Sequence, residues 1–136
     1  MRLKLSEESK AELMEVKAKA RSTLISSLRK EPAVFRMEHS LDPSRSRSLG
    51  YKALPGYALI LSRVPRGGRR KPRPTSGRRP KHAGSVLFTP ELSRAEIATA
   101  RALRKFRNMR ALGCHKIAED GKNLWFEVVL VDRTKG

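Results

Sequence analysis

The chain has a single cysteine, Cys114, in 136 residues. No disulfide framework can form within it, and a reducing compartment is its natural setting. Long apolar runs are also missing: nothing approaches the roughly 18 residues that cross a bilayer, and there is no signal-peptide core. The N-terminus is amphipathic, yet Glu7, Glu8, Glu12 and Glu15 are out of keeping with an acid-poor transit peptide. These absences predict a soluble, cytoplasmic protein without a membrane partner. Aromatic residues make up only 5% of the chain, too few for base stacking to dominate any nucleic-acid binding. The most local absence is of acid: residues 43–90 contain no Asp or Glu and 12 Lys or Arg.

Catalytic chemistry is missing as well. Cys114 and His115 are neighbours on a predicted strand, so their side chains leave opposite faces and cannot form a nucleophile pair with each other. Cys114 reads as a small core residue. His39, His82 and His115 lie in three different segments without metal-ligand spacing. Arg66-Gly67-Gly68-Arg69 is glycine-rich but lacks the downstream Gly-Lys-Ser/Thr of a phosphate-binding loop. The expectation is a non-enzyme with no catalytic residue, metal, cofactor or small-molecule substrate. Zinc-finger spacing and the aromatic motif of an RRM are absent too.

What the chain has is positive charge: 31 Lys and Arg against 13 Asp and Glu, a formal +18. Charge of this size speaks to partners rather than fold, and nucleic acid is the usual partner. It is densest in "RVPRGGRRKPRPTSGRRPKHAG", residues 63–84, where nine cations (Arg63, Arg66, Arg69, Arg70, Lys71, Arg73, Arg78, Arg79 and Lys81) accompany eight Gly or Pro. Like charges repel, Pro removes backbone donors and Gly raises the entropy cost of ordering, so no helix or strand is predicted through this segment. It is expected to be disordered in the free protein and to order against a polyanion. Gly67 and Gly68 would let the backbone turn and pass close to phosphates. Tyr51 and Tyr57, just upstream, either stack on bases or pack.

Around this segment the periodicities change. From Ser6 to Lys30 the pattern is helical, with Leu13, Val16, Ala20, Leu24 and Leu28 on one narrow stripe, acids in the first turn, Arg29 and Lys30 in the last, and Pro32 as the stop. Such a helix is expected to dock its stripe. Residues 33–56, broken by Asp42-Pro43, Ser-Arg alternation and Pro55-Gly56, read as an extended connector. Within them Ser44 to Ser48, "SRSRS", is too short for a serine-arginine repeat. "YALILSRV" (57–64) is a candidate strand. Thr89-Pro90 offers one helix start, and Ser93 with Glu96 makes a capping box for another. The helix that follows has Ile97, Ala100, Leu103 and Phe106 on its apolar side and Arg101, Arg104, Lys105 and Arg107 elsewhere. "MRALGCHKIA" and "NLWFEVVLVD" read as two strands joined through Asp120-Gly121, whose glycine suits the positive φ of a tight turn. The predicted fold is α+β: a small antiparallel sheet with a packed helix, an N-terminal helix and a long basic RNA-binding loop. The predicted division is 1–56 for the N-terminal helix and connector, 57–132 for the α+β domain carrying loop 63–84, and 133–136 for a short tail.

"LGYKALPGY", "RVPRGGRRKPRP", "GRRPKHAG" and "EDGKNLWFEVVLVD", in that order between about Arg47 and Asp132, resemble the fifteen-e family of large-subunit ribosomal proteins of archaea and eukaryotes. The basic segment is closer to archaeal members. The resemblance implies a turn at Gly50, Tyr51, Lys52 and Gly56 leading into the first strand, a ribosomal-RNA-threading loop at Arg66 to Pro74, and a hairpin turn at Asp120 and Gly121. Family members usually continue into a basic C-terminal tail, whereas this sequence ends at Gly136, so either a naturally shortened member or an incomplete chain is expected. Leu54-Pro55 replaces a polar pair, Pro65 stands where Arg is usual, and the N-terminal helix lacks the usual aromatics. Charge and resemblance together predict a structural constituent of the large subunit that binds ribosomal RNA and neighbouring ribosomal proteins. The expected RNA-binding set is Arg45, Arg47, Tyr51, Lys52, Arg63, Arg66, Gly67, Gly68, Arg69, Arg70, Lys71, Arg73, Arg78, Arg79, Lys81, His82, Arg101, Arg104 and Lys105. An off-ribosome RNA-binding regulator is the alternative.

Overall fold

The computed structural model describes residues 7–68 and 90–134. In chain order its elements are α1 (Glu7–Lys30), β1 (Val34–Met37), α2 (Pro43–Ser48), β2 (Tyr57–Pro65), α3 (Arg94–Lys105), β3 (Met109–Glu119) and β4 (Asn123–Asp132). The four strands form one antiparallel sheet in the order β1-β2-β4-β3. The fold is α+β, as the sequence pattern implies.

β4 is central and nearly continuously apolar because both of its faces are covered. Leu124, Phe126, Val128 and Leu130 join Ala58, Ile60 and Val64 of β2 in the core beneath α3. α3 begins at Ser93, where the Ser93 hydroxyl accepts from the Glu96 N–H at 3.2 Å and the Ser93 N–H donates to Glu96 at 2.7 Å. The Ser93 N–H, and then the Ser93 hydroxyl beside the carboxylate, lower the Glu96 pKa below its ordinary value. Pro90 to Leu92 are not helical, so only the second of the two candidate starts is used; Thr89 lies outside the described residues. The helix touches the sheet most closely through Ala98 and Ala102, both fully buried, with Ile97, Leu103 and Phe106 half-buried beside them. The bulky stripe read from sequence flanks the contact, and small residues make the close approach.

The opposite face corrects the reading of residues 33–56 as a connector. Val34–Met37 pairs with Leu59–Ser62 as an edge strand. Asp42 caps α2, accepting from the Arg45 N–H at 3.2 Å, with Pro43 in the first turn. The "SRSRS" run is this helix, and its Ser46 is wholly buried. What holds it is Glu127 of β4, also fully buried: its carboxylate accepts from the hydroxyls of Ser40 at 2.6 Å and Ser46 at 2.5 Å and from the Leu41 N–H at 3.1 Å. Three donors from one segment thus converge on one side chain. The same face receives the end of α1, where Leu24, Ile25 and Leu28 pack with Leu61, Ala118 and Trp125. Among the described side chains the predicted docking stripe is seated at this end, while Val16 is 63% exposed. At the β3–β4 hairpin the left-handed conformation expected at Gly121 is not used: positive φ among the described glycines falls at Gly50, Gly56 and Gly67. The turn is closed by the Asp120 N–H, which donates to the Asn123 carbonyl at 2.8 Å, and the Asp120 carboxylate accepts from the Gly121 N–H at 2.6 Å. Cys114 and His115 leave opposite faces, Cys114 against the α3 core and His115 buried beside Glu127.

Candidate nucleic-acid interface

The basic segment starts inside the sheet. Arg63 and Val64, the end of the candidate strand 57–64 and the start of the basic segment, complete β2 together with Pro65 and pair with Asn123–Trp125 of β4. The Arg66 N–H then donates to the Lys122 carbonyl at 2.7 Å, and the Arg66 guanidinium reaches the Asp120 carbonyl at 3.4 Å. The chain turns at Gly67, whose φ is +99°. A cleft of about 680 Å³ opens here, lined by Gly67 and Gly68 on one side and by Pro90, Leu92 and Arg94 on the other. The departure and return of the segment are therefore side by side, next to the start of α3. Arg69, Arg70, Lys71, Arg73, Arg78, Arg79, Lys81 and His82 lie outside the described residues, and so does most of the stretch expected to be disordered when free.

The root is braced by charge. Arg29 at the end of α1 holds Asp120 through two nitrogens on one oxygen, at 3.0 and 2.7 Å. That bond, and then the Gly121 N–H, lower the Asp120 pKa below its ordinary value. The hydrogen bond from Lys116 does the same for Glu119. Arg63 in turn donates to the Arg29 carbonyl at 3.2 Å, supplying a partner for an otherwise orphaned helix-end group. α3 contributes as well: Arg101 donates to the Arg63 carbonyl at 2.7 Å and Lys105 to the Val34 carbonyl at 2.9 Å. Two of the three helix cations in the expected RNA-binding set thus spend a donor on the sheet backbone. Arg104 is exposed on the helix surface. Arg101 keeps further N–H donors of its five.

A second group lies at the far end of β2. Tyr51 and Tyr57 meet edge to face, with ring centroids 6.3 Å apart and planes at 87°, so they pack on each other. β1 stops opposite Leu59, leaving a notch beside Tyr57 and Ala58. This notch is a cleft of about 360 Å³ lined by Arg36, Glu38, Tyr51 and Tyr57; an adjoining one of about 230 Å³ shares Glu38 and Tyr51 and adds Arg47. Arg45 and Lys52 are exposed nearby in sequence. Arg36 is the cation that sequence reasoning missed. Its signal was there, as a charge in an otherwise apolar "VFRM", but it sat in a stretch read as connector.

Among the described residues no group of three or more His, Cys, Asp or Glu is placed to hold a metal ion, and no helix is long and apolar enough to cross a membrane. The sequence model of the family described as Ribosomal L15 matches residues 3–136. That match includes α1 and β1, upstream of the motifs that carry the resemblance.

Proposed function

The chain belongs to the Ribosomal L15 family, structural proteins of the large ribosomal subunit, and on that premise we propose that it binds ribosomal RNA through the basic segment 63–84. The observation that carries this reading is the contrast between that segment and its root. Nine cations without an acid leave a sheet whose last β2 residues are hydrogen-bonded on both sides, and the chain returns beside its point of departure. A firmly bonded root limits the entropy lost when the basic segment is ordered on RNA, and the phosphates supply the missing counter-charge. Arg45, Arg47, Lys52 and Arg104 extend the basic surface on the body of the domain, and Arg101 and Lys105 both brace the sheet and add charge. Neighbouring ribosomal proteins are the other partners of this reading, and the ribosome in the cytoplasm its location. Because β1 and α2 are built onto the sheet of residues 57–132, the parts predicted as 1–56 and 57–132 act in this reading as one RNA-anchoring unit.

Binding of the isolated protein to a fragment of large-subunit RNA, titrated across salt, tests the reading. Each neutralised phosphate releases condensed counterions, so affinity should fall by roughly a hundredfold or more between about 50 and 200 mM salt. Replacing Arg69, Arg70, Lys71 and Arg73 with Gln should flatten the slope. A wild-type affinity insensitive to salt would refute it.

A further inference from the structure

The paired clefts around Tyr51 form a site distinct from the basic segment, at the other end of β2. Two features set them apart from a merely basic surface. The first is an aromatic floor: two half-buried tyrosines in contact, in a chain only 5% aromatic. The second is a carboxylate, Glu38, that lines both clefts between Arg36 and Arg47. Among the described residues Glu38 makes no side-chain hydrogen bond or ion pair, and neither do Arg36 and Arg47. A free carboxylate repels phosphate, so its place on a cationic rim is unfavourable for backbone binding alone. It suits a base edge that presents two adjacent donors. Ionised carboxylates accept through two oxygens, and of the four RNA bases guanine alone offers paired N–H donors, N1 and N2, on its Watson–Crick edge. Splayed-out bases in RNA are held by stacking on aromatic rings and by hydrogen bonds to that edge.

We propose that the Tyr51 clefts hold one unpaired guanine of an RNA, with the base against the tyrosines, its N1 and N2 donors on Glu38, and its flanking phosphates on Arg36 and Arg47. This rests on the RNA-binding reading above and adds to it a base-specific contact. A cleft of about 360 Å³ is the size of a small-ligand pocket and admits a single base. RNA is favoured over a protein neighbour because exposed Arg36 and Arg47 line the clefts around one acid.

The test uses the full chain and labelled RNA hairpins that differ only in one bulged nucleotide: guanosine, inosine, adenosine or none. Wild-type protein should bind the guanosine hairpin about tenfold tighter than the hairpin without a bulge. Inosine, lacking the N2 amino group, should lose much of that gain. Glu38→Gln should abolish the preference for guanosine over adenosine, and Tyr51→Leu should bring every bulged hairpin to the affinity of the bulge-free one. Glu38 is exposed, so its variant tests the proposal even if Tyr51→Leu fails to fold. Equal binding of bulged and bulge-free hairpins by wild type would overturn the proposal while leaving the RNA-binding reading intact, and would assign the clefts to a protein neighbour. So would a Glu38→Gln variant that strengthens all four hairpins by one factor, the mark of simple charge removal. Failure to bind any hairpin, even in low salt, would overturn both.

Discussion

The two faces of the sheet are covered by different means. Under α3 the contact is apolar, and Phe126, Val128 and Leu130 meet a helix that its own capping box and alanines bring close. On the other face a buried carboxylate gathers a segment more than 80 residues away in sequence. The contrast teaches that apolar burial tolerates many partners, whereas a buried Glu specifies one. Left without its three donors it would be strongly unfavourable, so residues 40–46 must sit where they do.

Neighbouring residues on β4 test this comparison. Phe126→Ala should cost about 4 kcal/mol, through lost burial and a cavity under α3, and lower the urea midpoint of the whole domain. Glu127→Ala should cost about 3 kcal/mol, because two hydroxyls and an amide lose their acceptor. Its signature should differ: amide exchange accelerates first in α2 and at Leu41, before β2 and β4. Glu127→Gln should fall between, since its amide sets a donor among donors. Uniform exchange acceleration in Glu127→Ala would erase the distinction between the faces.

The root of the basic segment sharpens the comparison at lower energy. A side chain at Gly67 would meet nothing within 4 Å, so only its φ of +99° matters. Holding Ala there costs about 1–2 kcal/mol, which the chain escapes by leaving in another direction. Gly67→Ala is therefore expected to weaken RNA binding with little change in thermal midpoint. Gly68→Ala, with open space and no positive φ, should leave both unchanged. Equal behaviour of the two variants would mean that the segment is only a charged tether. Ser93→Ala should cost about 1 kcal/mol by removing the cap of α3.

The smallest effect belongs to the exposed brace between Arg29 and Asp120. The folded-state pKa of Asp120 is depressed, so its contribution to stability is present above the ordinary carboxylate pKa and is lost as pH falls through the folded value. The thermal midpoints of wild type and Asp120→Asn should differ slightly at neutral pH and converge on acidification and in high salt. A gap that persisted in acid would mean that the ion pair with Arg29 is not its cause.

Local signals were legible because their physics is local. The capping box at Ser93, the stop before Pro32 and the two-faced burial of Leu124 to Val131 are set by neighbours within a few residues, so spacing and residue type reveal them. Charge is equally readable, which is why the candidate RNA-binding segment stood out. The fold of residues 33–50 was hidden for the converse reason. Four strand residues and a six-residue helix have too little periodicity to announce themselves, and both exist through partners far along the chain, Leu59–Ser62 for one and Glu127 for the other. The double duty of Arg101 and Lys105, and the meeting of Arg36, Glu38 and Tyr51 around one cleft, were hidden for the same reason. Composition and short-range pattern decided which segments are helix, strand or polycation, since backbone preference and burial period act over a turn or a pleat. Which cations brace the sheet and which face outward, and where a lone acid meets two tyrosines, was decided only when long-range pairing brought those residues together. Sequence order carries no record of such distances.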